Sequence, residues 1–308
     1  MKISIIGAGN VGATAASAIA QENLGDVVLF DIVKGLAQGK ALDMEDARSL
    51  LNLNYSVTGT DDINLIAGSD IVVITAGLAR KPGMTREELL AKNAAILSGL
   101  CENIKKLAPR SIVIVVTNPL DLMTALVLKA TGFAPDKVFG MGLGLDASRF
   151  ANLIAKEMKV PVTDVEACVI GSHGEGMIPL PSLTKVKGKA LDKALDAAKV
   201  EELVKKTFLR GAEIVSLLGS GSAYYAPSAA ILELVRAVAK NKREAIGVCA
   251  RLNGEYGLKD VCIGVTCVIG SKGIEKIVEL DLSKEELAKL SASAEAVRKL
   301  LRSNLNYV

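Results

Sequence analysis

Several features that define other classes of protein are missing from this sequence of 308 residues. Its five cysteines are odd in number and form no CxxC pair, so neither a disulfide framework nor a zinc site is indicated. Because the chain has one histidine, the ligands of any metal site would have to be almost all carboxylates. No stretch approaches the roughly 18 uninterrupted apolar residues of a membrane helix. The 37 basic and 34 acidic residues nearly balance, which argues against nucleic acid or a membrane surface as a partner. These absences predict a globular, metal-free protein. We expect it in the cytoplasm, because the first apolar run breaks into glycines too early for a signal peptide.

The order of the apolar runs predicts an α/β fold in two domains. Short Val/Ile-rich runs without a polar face alternate with helical patterns in the first half, as a parallel sheet covered on both faces requires. The predicted strands of this half lie at 2–7, 26–31, 55–59, 70–75, 112–117 and 137–140. A doubly wound parallel-sheet (Rossmann) dinucleotide-binding domain over residues 1–141 follows, and the rest, 142–308, reads as an α+β substrate domain. Its long helical patterns, at about 192–217 and 222–241, precede a hairpin and a last helix with a capping box at Ser283.

A glycine-rich turn follows the first predicted strand and opens a helix. Its sequence is Gly7-Ala8-Gly9-Asn10-Val11-Gly12. Glycines at this spacing permit a tight turn, a close approach to a pyrophosphate and close helix–strand packing, and the helix amino terminus offers N–H groups to the anion. Asp31 ends the second strand, where it can accept hydrogen bonds from the adenosine ribose. Together these features predict NAD rather than NADP, because a carboxylate repels a 2′-phosphate. Lys34 is close enough in sequence to weaken this preference, but an ordinary surface lysine is the favoured interpretation.

Further polar side chains lie in segments that follow predicted strands, and the carboxyl edge of an open α/β sheet is where ligands bind. They are Arg80 and Arg86 after the fourth strand, Asn118 after the fifth, Asp146 and Arg149 one helical turn apart, and His173 among glycines. Thr85 and Glu88 form a capping box that would hold Arg86 at the start of a helix. Each segment alone also has an ordinary explanation: a solvated loop, a turn asparagine, a surface ion pair or an incidental histidine.

In combination these motifs carry a resemblance. GAGxVG, LFD, AGxARKPGMTR, TNP, LDxxRF and GSHG, in this order, resemble the lactate/malate dehydrogenase family over essentially the whole chain. The resemblance implies that neutral His173 takes the hydroxyl proton of a 2-hydroxy acid, while Asp146 accepts a hydrogen bond from the other ring nitrogen. It implies further that Arg149 holds the substrate carboxylate in a bidentate fork and that Arg86 polarises the C2 oxygen. Asn118 is implied to bind this oxygen as well, and cofactor contacts are implied for Asn93, Val116, Thr117 and Asn118.

Arg80 distinguishes between substrates within that family, whose lactate-type members usually carry an uncharged residue there, commonly glutamine. An unpaired guanidinium facing a methyl group in a closed site costs about 3–5 kcal/mol, whereas the second carboxylate of malate or oxaloacetate pairs with it. The sequence therefore points to a small dicarboxylate, (S)-malate or oxaloacetate, and the small Ala223 leaves room for Arg80. Oxidation of lactate or another 2-hydroxy acid is the alternative.

A function of a different class, a dinucleotide-binding redox sensor without turnover, would call for a damaged catalytic set, and no member of the implied set is missing. Two segments depart from the family pattern: Gly174-Glu175-Gly176, whose last glycine predicts a looser backbone behind the ring, and the glycine-rich Gly140–Gly144 with Leu143 in an unusual place. The lactate dehydrogenase-like organisation implies a homotetramer, with a dimer as the alternative.

Overall fold

Parallel strands form the first half of the main sheet in the computed structural model, which describes residues 1–78 and 85–304. They are β1 (Lys2–Ile6), β2 (Asp26–Phe30), β3 (Val57–Thr60), β4 (Ile71–Ile74), β5 (Ile112–Val115) and β6 (Val138–Gly140). Their order across the sheet is β3-β2-β1-β4-β5-β6, so the direction of winding reverses between β1 and β4. Every residue of β4 and β5 is buried, because helices cover both faces of the sheet. The predicted doubly wound fold is confirmed, and its strand positions are right to within two residues.

Within the described part of this half, five α-helices connect or follow these strands. They are α1 (Asn10–Gln21), α2 (Leu36–Leu51), α3 (Arg86–Leu107), α4 (Leu120–Thr131) and α5 (Leu143–Met158). The capping box predicted for α3 is present: the Thr85 hydroxyl accepts from the Glu88 N–H at 3.1 Å, and the Glu88 carboxylate accepts from the Thr85 N–H at 3.0 Å. Helix α3 therefore begins where the local sequence satisfies its free N–H groups.

The second half, as far as residue 304, adds antiparallel strands and four α-helices. They are β7 (Val165–Glu166), β8 (Val169–Gly171), β9 (Met177–Pro179), β10 (Lys185–Val186), β11 (Lys189–Ala190), α6 (Leu191–Ala194), α7 (Ala197–Leu218), α8 (Tyr225–Ala239), β12 (Glu244–Asn253), β13 (Lys259–Gly270), β14 (Gly273–Ile277) and α9 (Lys284–Asn304). The single helix predicted near 192–217 is wrong at its start, because Asp196 accepts a hydrogen bond from the Lys199 N–H at 2.8 Å and begins a new helix, α7. Strands of two or three residues, such as β7 and β10, are too short to show a period in the sequence.

The two halves share one sheet and a helix–helix contact. Strand β12 pairs with β6 through Cys249 and Gly140, and β13, β8 and β9 continue the sheet beyond it. Helix α8 packs on α1, where Ser228 donates to the Val11 carbonyl at 2.8 Å. The division at residues 141 and 142 stays a prediction.

The described residues contain no helix long and apolar enough to cross a membrane. Within the same residues there is also no group of three or more histidine, cysteine, aspartate or glutamate side chains that could hold a metal ion.

Candidate active site

The glycine-rich turn between β1 and α1 is built by two glycines that the fold requires and one that it does not. Gly7 has φ +111°, and a Cβ on it would lie 2.7 Å from the Ala76 nitrogen. A Cβ on Gly12 would lie 1.9 Å from the Gly7 carbonyl oxygen. Around Gly9, by contrast, a Cβ would meet nothing within 4 Å, and no side chain caps the helix that begins after it. The turn thus leaves open space at a helix amino terminus, where the phosphates of a dinucleotide fit.

Asp31 is held directly beside this turn. Its carboxylate accepts hydrogen bonds from the Ala8 N–H at 2.7 Å and from the Val33 N–H at 2.9 Å. Lys40 donates to the Ala8 carbonyl at 2.7 Å, which steadies the same turn from α2. Lys34 is exposed, as its reading as a surface lysine requires. The acidic side chain predicted to meet the ribose is therefore fixed at the edge of the turn.

The other predicted cofactor contacts surround the ends of β4 and β5. Asn93 of α3 is 1% exposed; its amide oxygen accepts from the Leu78 N–H at 2.8 Å and its nitrogen donates to the Asn118 carbonyl at 2.8 Å. The Thr117 hydroxyl donates to the Ala76 carbonyl at 2.6 Å. Of the other predicted cofactor contacts, Val116 is half-buried, whereas Asn10 and Asn118 are exposed. Asn93 thus ties the two loops together, and its own contact to a cofactor stays a prediction.

His173 meets Asp146 at the centre of the site. The imidazole Nδ1 lies 2.7 Å from one Asp146 carboxylate oxygen, and the other accepts from Arg149 Nη1 at 3.3 Å. Asp146 is fully buried, whereas the His173 side chain keeps 16% of its surface exposed. A surface ion pair between Asp146 and Arg149 is therefore excluded. The structure brings together three residues that are up to 27 positions apart in the chain.

The surroundings of His173 favour its charged form. Burial would lower the pKa of His173, but the charge and hydrogen bond of Asp146, followed by the charge of Asp121, outweigh it, so the pKa lies above its ordinary value. The nearby charge of Arg149 acts in the opposite direction. An imidazole held in this way can store a proton and give it up again near neutral pH.

Arg149 is largely shielded from water. Burial lowers its pKa, and the charge of Asp146 counteracts this effect. Helix α7 covers the guanidinium, since a Cβ on Gly211 would lie 3.6 Å from Nη1. A poorly hydrated guanidinium with only one described carboxylate partner is suited to binding a second carboxylate.

The two departures from the family pattern have structural explanations. A Cβ on Gly142 would lie 2.5 Å from Leu120 Cδ2 and 3.0 Å from His173 Cγ, so this glycine makes room for both side chains. Leu143 fills the space above Gly264. The segment after His173 is tied down rather than loose: Ser293 of α9 accepts from the Ser172 N–H at 3.0 Å and donates to the Gly176 carbonyl at 2.9 Å. A Cβ on Gly176 would lie 2.8 Å from the Ser293 hydroxyl, so the glycine permits this contact.

Sequence reasoning missed Asp121 and Ser293. Asp121 lies in the first turn of α4 and accepts hydrogen bonds from the Ser172 hydroxyl and the His173 N–H. A charged residue inside the apolar run Leu120–Met123 was the available signal for Asp121. Nothing in the local sequence marks Ser293, which lies 121 residues from its partner Ser172.

A cavity of about 550 Å³ opens beside His173. It lies between α3, the end of β5, the His173 loop and α9, and its lining includes Asn118, Asp121, His173 and Val297. Arg80 lies outside the described residues, and so does the side chain of Arg86, whose backbone begins α3. Their predicted contacts with substrate stay predictions.

Residues 1–140 match the model of the lactate/malate dehydrogenase NAD-binding domain, and residues 144–307 match that of the family's α/β carboxyl-terminal domain. The chain therefore belongs to the lactate/malate dehydrogenase family, and NAD is its cofactor. The resemblance read from the motifs is confirmed.

Individual relatives agree with this assignment. A malate dehydrogenase of Methanosarcina mazei is 50% identical over 97% of this chain and 97% of its own. Among solved structures, a malate dehydrogenase of Cryptosporidium parvum superposes with a TM-score of 0.96 at 39% identity, covering 99% of both chains. A lactate dehydrogenase of the same organism, with lactic acid and NAD bound, gives 0.95 at 39% identity, covering 99% of this chain and 98% of its own. The backbone is thus shared by both activities, and the choice of substrate has to come from side chains.

Proposed function

We propose that this chain catalyses the reversible, NAD-dependent oxidation of (S)-malate to oxaloacetate. The observation that carries the acid–base chemistry of this proposal is the buried Asp146, which lies 2.7 Å from Nδ1 of His173 and 3.3 Å from Arg149. The contact at Nδ1 leaves Nε2 as the ring atom that exchanges the proton. The other oxygen of Asp146 holds the guanidinium of Arg149 near the same ring, and we propose that this guanidinium binds the substrate carboxylate.

Each residue has a defined task in this reaction. NAD, held by the glycine turn and the ends of β4 and β5, would supply the acceptor for the hydride that leaves C2 of the substrate. Neutral His173 accepts the C2 hydroxyl proton, and Asp146 stabilises the imidazolium that forms. Arg149 holds the C1 carboxylate with two parallel hydrogen bonds, a geometry that lysine cannot supply. Arg86 and Asn118 hydrogen-bond the C2 oxygen, where negative charge develops during reduction.

The cofactor would be held along the edge formed by the glycine turn and the ends of β4 and β5. The open space at Gly9, flanked by Asn10 and Val11, would take its phosphates, and Asp31 would hydrogen-bond the adenosine ribose. Val116, Thr117 and Asn118, which Asn93 anchors, would contact the nicotinamide end. Because Asp31 would meet a 2′-phosphate with like charge, NADPH should support turnover far less well than NADH.

Arg80 is proposed to select the dicarboxylate by pairing with its second carboxylate. Steady-state rates with oxaloacetate and with pyruvate test this directly. We expect wild-type kcat/KM to favour oxaloacetate, and Arg80→Gln to lose far more oxaloacetate activity than pyruvate activity. A wild-type preference for pyruvate would make the chain a lactate dehydrogenase, and equal losses on both substrates would refute the role of Arg80.

The alternative function is a redox sensor that binds the dinucleotide without turnover. It would be indicated if NADH binds but no 2-oxo acid is reduced. Fluorescence titration of NADH beside the activity assay separates these cases. His173→Asn should nearly abolish turnover and leave NADH binding intact, since the chain has no second histidine to take over.

We also propose that the chain assembles as a homotetramer in the cytoplasm, with a dimer as the smaller alternative. Two surfaces support assembly: α2 exposes Leu42 and Leu50, which are 64% and 89% accessible, and an alanine-rich groove of about 680 Å³ lies between α5, α8 and β12. Exposed leucines on one helix face favour burial against another subunit. Light scattering after gel filtration gives the assembly, and a monomeric mass for the wild type would refute it; cell fractionation tests the location.

A further inference from the structure

Asp121 has an unusual position for a carboxylate. It is 4% exposed, and one of its oxygens accepts from both the Ser172 hydroxyl at 2.7 Å and the His173 N–H at 3.1 Å. The other oxygen is buried and makes no regular hydrogen bond among the described residues; the weak thiol donor of Cys249 is its neighbour. An unsatisfied buried oxygen costs stability. Asparagine could accept the same two hydrogen bonds without a buried charge, so the need for a tie alone does not account for an acidic residue here.

What a carboxylate adds to an amide is its charge. Burial raises the pKa of Asp121 above its ordinary value, and the hydrogen bonds from Ser172 and Cys249 and the charge of His173 counteract only part of this effect. Asp121 also lies in the first turn of α4, where the partial positive charge of a helix amino terminus stabilises an anion. Each of the two groups therefore favours the charged form of the other, and their ionisation is linked.

Among the described residues, few other charges lie near enough to His173 to do this. Those that face it or line the same cavity are Asp146 and Arg149 from α5, Asp121 from α4, Glu87 from α3 and Glu175 from its own loop. Helix α9 contributes only uncharged side chains to the cavity, among them Ser293, and β12 contributes the buried Cys249 beside Asp121. Asp121 and Asp146 are thus the two described carboxylates whose charges stabilise the imidazolium.

We propose that Asp121 is a positioning residue that acts through His173: its carboxylate holds the Ser172–His173 segment against α4 and supplies a second buried negative charge beside the imidazolium. Asp146 orients the ring from Nδ1, and Asp121 holds its backbone. The inference rests on the proposed function, because the proton on His173 matters only if that residue is the acid and base of the reaction.

The single histidine of the chain makes the test direct, because one imidazole C–H signal in a proton NMR titration of the full chain reports the pKa of His173. Asp121→Asn keeps the two hydrogen bonds and removes the charge. We expect it to lower that pKa by about half to one unit, and to reduce kcat/KM for oxaloacetate about three- to tenfold at a pH above it. The loss should recover at lower pH. Ser172→Ala should give a smaller shift in the same direction, because it removes a donor that stabilises the ionised carboxylate.

Ser293→Ala is the matched control. It removes a hydrogen bond from the same Ser172 backbone but no charge, so the pKa of His173 should not move. An unchanged pKa in Asp121→Asn overturns the proposal, and so does an equal shift in Ser293→Ala, which would indicate a displaced loop instead of a lost charge. Should Asp121→Asn not fold, an unshifted pKa in Ser172→Ala overturns it. The titration needs no substrate, so absence of malate turnover in the wild type would refute the proposed function and leave this measurement intact.

Discussion

Replacing Asp146 by asparagine tests the central contact of the site. Asparagine has nearly the same shape, so the substitution removes the charge that lies 2.7 Å from Nδ1 of His173. Unit charges about 4 Å apart at an effective dielectric constant of about 20 interact by about 4 kcal/mol. The fully buried side chain justifies using this value instead of the much smaller one for water. At about 1.4 kcal/mol for each factor of ten, kcat/KM for oxaloacetate should fall roughly 10³-fold at neutral pH.

The assay is steady-state reduction of oxaloacetate by NADH between about pH 5 and 9, with NADH affinity measured separately by fluorescence. The pKa of His173 should fall, because its main stabilising charge is gone. KM should rise as well, because the amide can no longer pair with the charge of Arg149. Asp164→Asn, which alters a partly exposed carboxylate paired with Lys187 away from the site, is the matched control and should change neither value. A kcat/KM for Asp146→Asn within a few-fold of wild type would refute the reasoning.

The pH dependence should have opposite signs in the two directions. The pKa of His173 is raised, so the ring should lose its proton at a pH above about 6.5. Oxaloacetate reduction needs the protonated ring and should fall as pH rises through this value, whereas malate oxidation needs the neutral ring and should rise. An inflection below about 6.5 would contradict this. Gly9→Ala should fold normally yet bind NADH weakly, because its Cβ would meet no other atom of the protein within 4 Å. Gly12→Ala should lower the melting temperature, because its Cβ would lie 1.9 Å from the Gly7 carbonyl oxygen. Equal melting temperatures of the two variants would argue against these different roles of the two glycines. Gly142→Ala should lower kcat at least tenfold with NADH affinity unchanged, because its Cβ would lie 2.5 Å from Leu120 Cδ2 and 3.0 Å from the His173 ring, so that both side chains have to shift. Normal turnover would show that the ring tolerates displacement.

Patterns of neighbouring residues were sufficient for most of the longer elements and for the prediction of a dinucleotide. The apolar runs of β4 and β5 predict a sheet buried on both faces, and the capping boxes at Thr85 and Ser283 predict where α3 and α9 begin. The spacing from the glycine turn to Asp31 predicts a dinucleotide. These signals lie within a few residues or one βαβ unit, where backbone geometry follows from side-chain type.

The chemistry of the site depends on contacts that no local pattern contains. Asp146 reads as half of a surface ion pair, and burial beneath His173 turns it into the partner of the imidazole. Gly176 reads as a loosening of the loop, until Ser293 from α9 occupies the space that it leaves. Asp121 reaches the His173 backbone across 52 residues of chain. The residue types and their order along the chain were enough to predict His173, Asp146 and Arg149 as site residues. Only packing in three dimensions sets their burial, and burial decides how strongly their charges interact.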